Sequence, residues 1–212
     1  QFKIVENDTD KAPGGWTYDR HEATVTVTVT DQDFDGQLDA TVTYDNTGAT
    51  TDADKAVDNA AAFTNSYSTS STDADTGSAE AKLTKVLEGK AWDGDSFTFE
   101  IKPESNTAGI DAADMSMPNA DADGDGSSTA TVSAPTEEDG KTAIFSFGSI
   151  TFDAPGTYVY KVTEVEGDNA GITYSKNEAT ITITVEDNRQ GALVATVGIE
   201  NNVFTNTYAS EL

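Results

Sequence analysis

Cysteine is absent from the 212 residues, so no disulfide can staple the fold. Secreted domains built from short strands often depend on such staples; an exported chain of this kind needs another stabilising device. Histidine occurs once, at His21, leaving almost no raw material for a histidine metal site or a Ser-His dyad. Basic side chains number 12 against 38 acidic ones, a formal net charge of −26. A surface of that sign repels nucleic acid and anionic lipid, so neither is expected as a partner. No stretch nears the roughly 20 apolar residues that cross a bilayer as a helix, so membrane insertion is not expected. No initiator Met or signal peptide precedes Gln1, which reads as a processed product or an excised piece.

What is present is a repeat. Gly15–Asp31, GWTYDRHEATVTVTVTD, matches Gly171–Asp187, GITYSKNEATITITVED, at ten of seventeen positions. Upstream, Phe2-Lys-Ile-Val-Glu6 parallels Tyr160-Lys-Val-Thr-Glu164; downstream, Gln37-Leu-Asp-Ala-Thr-Val42 parallels Ala192-Leu-Val-Ala-Thr-Val197. Each copy closes on one phrase, Phe63-Thr-Asn65-Ser-Tyr67 and Phe204-Thr-Asn206-Thr-Tyr208. A repeat this long marks a tandem array. The second copy carries a long upstream part, about Ala79 to Thr157, that the first lacks. Residues 1–68 therefore read as the C-terminal half of a first module, 69–78 as a small polar linker, and 79–209 as a complete module.

The elements read as β almost throughout. Ala23–Thr30 alternates Val with Thr and Ala179–Val185 alternates Ile with Thr, the period of a strand with one buried and one wet face. Further strands are expected near 81–88, 96–102, 142–152, 157–165, 192–199 and 202–208, separated by turns such as Asp93-Gly94, Asp139-Gly140 and Pro155-Gly156. Asp54–Ala62 suits one short turn of helix, and Asp111–Ser128 reads as a long acidic loop. The fold class is all-β, with elongated Greek-key or immunoglobulin-like sandwich modules in tandem.

Side-chain phase singles out three polar residues. Lys85 shares a strand face with Leu83 and Leu87; Glu164 shares one with Tyr158, Tyr160 and Val162; Asn206 sits between Phe204 and Tyr208. Isolated polar groups in an apolar row are costly, so one constellation explains them better than three exceptions. Burial favours a neutral amine at Lys85, a nucleophile. The same pocket favours a neutral Glu164, a carboxylic acid that can donate a hydrogen bond, polarise the Asn206 carbonyl and shuttle protons. The amine attacks the amide carbon, ammonia leaves, and an isopeptide bond remains, with proximity in place of any cofactor.

These residues resemble the pilin isopeptide-linkage domain of Gram-positive pilins and surface adhesins. The resemblance rests on Leu83-Thr-Lys85 with Gly89, Phe97-Thr-Phe99, Pro155-Gly-Thr-Tyr-Val-Tyr-Lys-Val-Thr-Glu164, Gly171-Ile-Thr-Tyr174 and Phe204-Thr-Asn206-Thr-Tyr208. It covers 79–208 in order, and its second half recurs in 2–67. It implies a cross-link between Lys85 and Asn206, with Glu164 catalysing a single turnover that is not enzyme activity. In the first module Glu6 takes the glutamate position and Asn65 the asparagine position. The lysine strand of that module would precede Gln1, so Asn65 is expected to remain an ordinary amide. Implied partners are neighbouring modules of the same polypeptide, and a missing upstream segment or another chain that completes residues 1–67. The implied location is extracellular, on the cell surface, with the wall anchor in a part of the protein outside these residues.

Two Asp-rich stretches invite a calcium reading. Asp31-Gln-Asp33-Phe-Asp35-Gly36 and Asp121-Ala-Asp123-Gly-Asp125-Gly126 begin like EF-hand loops. Both place Val, at Val42 and Val132, where that loop needs a bidentate Glu, so no metal is expected. Trp16 and Trp92 read as packing residues rather than sugar platforms. Two function classes follow: a structural stalk or shaft module, and, as the alternative, an adhesive domain that binds a host protein or glycan through its acidic loops, such as 103–127.

Overall fold

A computed structural model describes residues 1–7, 14–69, 77–118 and 126–210. The chain divides into two compact units, Gln1–Thr69 with Arg189–Gly191, and Ser70–Asn188 with Ala192–Leu212. No helix among the described residues is long and apolar enough to cross a membrane.

The larger unit is a sandwich. Its first sheet has the order β10 (Thr142–Phe145), β7 (Leu83–Glu88), β16 (Val203–Tyr208), β13 (Ile172–Thr173). Its second has the order β15 (Leu193–Glu200), β14 (Glu178–Asp187), β12 (Gly156–Val165), β8 (Phe97–Asn106), β9 (Ser128–Val132). A small ribbon pairs β11 (Ser149–Thr151) with β6 (Ser78–Glu80). The long strands keep strict alternation: Phe97, Phe99 and Ile101 of β8, Tyr158, Tyr160 and Val162 of β12, and Ala179, Ile181, Ile183 and Val185 of β14 are all buried. They pack with Leu83, Leu87 and Phe204 from the other sheet in one core. β-branched residues suit this half-wet surface because their single preferred rotamer is cheap to fix there.

The decisive pairing is β7 with β16. The first long strand of the module lies parallel to its last, in the register Phe204↔Lys85 and Asn206↔Leu87. Gly89 lets the two run close: its φ is +86°, and a Cβ there would sit 2.2 Å from the Tyr208 carbonyl oxygen.

Two expectations about elements change. The stretch 142–152 is not one strand. Gly148, at φ +98°, breaks it, so β10 pairs with β7 and β11 with β6. After the acidic segment, β9 (Ser128–Val132) is a strand that was not expected, because its Ser-Thr-Ala-Thr-Val carries only one large apolar residue and so little strand signal.

The smaller unit holds a three-stranded sheet, β1 (Phe2–Val5), β3 (Glu22–Thr30), β4 (Asp39–Asp45), and a ribbon of β2 (Trp16–Thr17) with β5 (Ser66–Tyr67). The helical turn expected over Asp54–Ala62 lies earlier, as α1 (Asp52–Lys55), and residues 57–62 are not helical; Thr51 caps it, its hydroxyl accepting from the Asp54 N–H at 3.1 Å. Repeat equivalence holds in three dimensions. Trp16 faces Tyr67 as Ile172 faces Tyr208. The Ser68 N–H reaches the Gly15 carbonyl at 2.9 Å, as the Ala209 N–H reaches that of Gly171 at 2.9 Å. Ala23 and Val25 are buried, while Phe2, Val5, Val27, Val29 and Val42 are exposed.

Candidate functional site

β7, β12 and β16 bring Lys85, Glu164 and Asn206 together between the sheets. Each strand's alternation turns the side chain inward, and all three are sealed: Lys85 and Asn206 are 0% exposed, as is the Glu164 side chain. Lys85 Nζ lies 2.8 Å and 2.9 Å from the two carboxylate oxygens of Glu164. Asn206 Nδ2 donates to Glu164 Oε1 at 2.7 Å. One oxygen therefore holds both nitrogens. Phe97 caps the amine, with Nζ 4.4 Å from its ring centroid, and Phe99 stands 5.8 Å away. Burial lowers the Lys85 amine to about 8, against the opposing pull of the Glu164 hydrogen bond and charge.

The expected contact between Glu164 and the Asn206 carbonyl is not present. That oxygen, Oδ1, accepts the backbone N–H of Ser175 at 2.7 Å instead. Sequence reasoning passed over Ser175 because a backbone donor leaves no side-chain signature. The available signal was the position after Thr-Tyr, a short polar residue in both copies, Ser175 and Asp19.

Among the described residues, the smaller unit repeats the arrangement without a lysine. Asn65 Nδ2 donates to Glu6 Oε1 at 2.6 Å, and Asn65 Oδ1 accepts the Asp19 N–H at 2.9 Å. Glu6 Oε2 is buried with no partner among the described residues. Lys3 pairs with Glu22 and Lys55 with Asp52, both far from being enclosed, and Lys11 lies outside the described residues. Burial works to raise the Asp19 carboxyl, but hydrogen bonds from His21 and Thr50 hold it down at about 2.

Of the two acidic stretches, Asp31, Asp33 and Asp35 converge with their oxygens within 4.8 Å of one another. Val42, in the twelfth position, is an exposed residue of β4. Asp121, Asp123 and Asp125 lie outside the described residues. Trp92 donates to the Lys141 carbonyl at 2.9 Å and meets Phe97 edge-on at 5.0 Å. Trp16 is 43% exposed and packs against Tyr67.

Residues 1–68 and 81–209 match the family model of the Spy0128-like isopeptide containing domain, FctA. The chain belongs to this family. Among proteins of curated function, no sequence matches it. It is similar to the crystal structure of the major pilin from Streptococcus pyogenes, with 26% identity over 62% of this chain and 51% of the pilin, at a TM-score of 0.41. The major pilin protein T-13 of the same organism is similar at 18% identity, 64% and 55% coverage and a TM-score of 0.40. The chain thus spans about half the length of these pilins.

Proposed function

We propose that residues 79–209 form a load-bearing module of a Gram-positive pilus shaft or adhesin stalk, locked by an isopeptide bond between Lys85 and Asn206. The observation that carries this reading is the sealed contact of Lys85, Glu164 and Asn206, with both nitrogens on one carboxylate oxygen. The neutral amine attacks the Asn206 Cγ. Glu164 takes a proton from Nζ and delivers one to Nδ2. The Cγ–Nδ2 bond breaks, ammonia leaves, and the carbonyl re-forms. The chemistry runs once and consumes its own groups, so the module is not a turnover enzyme and needs no cofactor.

The placement of the bond gives it a mechanical role. β7 and β16 are the first long strand and the last of the module, and they are adjacent and parallel. Tension applied at the two ends shears this pair. A covalent tie across it carries the load past every residue between 85 and 206. It also restricts the unfolded chain, by roughly 4–5 kcal/mol in the chain-entropy relation for a long loop. No oxidising compartment is required, which suits a chain without cysteine. Residues 1–68 are read as the C-terminal half of a like module, with Glu6 and Asn65 set for a lysine strand supplied by a neighbouring segment or chain. The orphan Glu6 Oε2 and the exposed Val27, Val29 and Val42 support that reading. The proposed location is the bacterial cell surface, with wall attachment through other parts of the protein.

Single-molecule pulling between the chain ends tests the role. The native module should show no extension step for the 85–206 segment, and Lys85→Ala should show one. A native module that unravels fully under modest force removes the stalk reading and leaves the adhesive one.

A further inference from the structure

The Asn206 amide is held at both ends. Its nitrogen faces a carboxylate oxygen at 2.7 Å and its oxygen faces a peptide N–H at 2.7 Å. Exchanging the two ends would set oxygen against oxygen and N–H against N–H, so only this orientation satisfies both partners. The leaving nitrogen is thereby aimed at the proton relay, and the carbonyl oxygen at a donor.

That donor is built into a turn. Ser175 Oγ accepts the N–H of Asn177 at 3.2 Å, which fixes the local backbone beside the donating peptide. The smaller unit has a different sequence here, Asp19-Arg20-His21 for Ser175-Lys176-Asn177. It builds the same turn: the His21 N–H reaches Asp19 Oδ1 at 3.0 Å, and the Asp19 N–H reaches Asn65 Oδ1 at 2.9 Å. The donor is in place there although no lysine is among the described residues, so it does not depend on the nucleophile.

Resting on the isopeptide reading above, we propose that the Ser175 backbone N–H is the oxyanion donor of bond formation. When Nζ adds to Cγ, the carbonyl π electrons move to Oδ1, and the N–H stabilises the charge that develops there. When the Cγ–Nδ2 bond breaks, the pair returns to re-form the carbonyl as ammonia departs with the relayed proton. Glu164, which touches both nitrogens and not the oxygen, is left as the relay alone. A fixed donor in a sealed site costs no reorganisation, and losing one such donor lowers a rate by about 10²–10³-fold.

The test replaces Ser175 in the full chain by its α-hydroxy acid analogue, which keeps the side chain and exchanges N–H for an ester oxygen. Ammonia loss is followed by intact mass after refolding. A slowing of about 10²–10³-fold relative to native chain is expected; Ser175→Ala, which keeps the N–H and loosens the turn, should slow far less. Equal rates for ester and native chains overturn the proposal while leaving the Lys85–Asn206 bond standing. A native chain that never loses ammonia overturns the isopeptide reading itself. Should the ester chain fail to fold, amide exchange of Ser175 in the uncrosslinked Lys85→Met chain decides: protection is expected, and free exchange contradicts the proposal.

Discussion

Lys85 shows how a side chain's chemistry is set by what surrounds it. Leu83, Leu87, Phe97 and Phe99 remove water from its amine, and Glu164 is the one charged group hydrogen-bonded to it among the described residues. Its amine is lowered from 10.5 to about 8. On the proposed reading the reactive form is the neutral amine, with Glu164 as its proton relay. Bond formation should therefore accelerate about tenfold per pH unit up to about 8 and level off above it. Ammonia release from refolding chain, measured across that range, checks the sign; a rate that falls as pH rises towards 8 would contradict attack by the neutral amine. Glu164→Ala should leave a folded but uncrosslinked module, destabilised by roughly 3–5 kcal/mol for the stranded amine in addition to the lost tie. If that variant loses ammonia at the native rate, Glu164 has no part in the reaction.

All three residues were legible in the sequence because their strands hold strict two-residue alternation, so an inward Lys, Glu and Asn stood out against Leu, Tyr and Phe. Ser175 was harder to read: its peptide N–H is positioned by a turn, marked only by the short polar residue after Thr-Tyr in both copies.

Among the elements, the parallel β7–β16 pair brings Lys85 and Asn206 onto adjacent strands. Its closeness depends on Gly89, where any Cβ meets the Tyr208 backbone and φ is +86°. Gly89→Ala should cost about 1–3 kcal/mol in denaturant unfolding of the uncrosslinked Lys85→Met chain, and slow ammonia loss when Lys85 is restored. Unchanged stability would show that the strands tolerate a wider spacing. Sequence periodicity located most of the long strands but not the partner each would choose. The parallel contact joins residues over a hundred positions apart, and Gly148 splits an apparently continuous strand between two sheets. β9 escaped notice because Thr, Ala and Ser alternate with little contrast in hydrophobicity.

At the scale of the whole molecule, the two copies divide, among the described residues, into one complete lysine-glutamate-asparagine set and one glutamate-asparagine pair. Peptide mapping should recover Asn65 as an ordinary amide, since Lys3 and Lys55 are engaged at the surface. A bond from Asn65 to any lysine of residues 1–212 would overturn the alignment of the repeats. Residues 1–68 and 81–209 both match the one family model. The most direct measurement of the central claim is the intact mass of the purified chain, followed by fragmentation of the peptide pair that carries residues 85 and 206. The account predicts a mass short by one ammonia, with Lys85 and Asn206 recovered as a single branched peptide. A full mass, with two separate peptides bearing a free amine and a free amide, would contradict it.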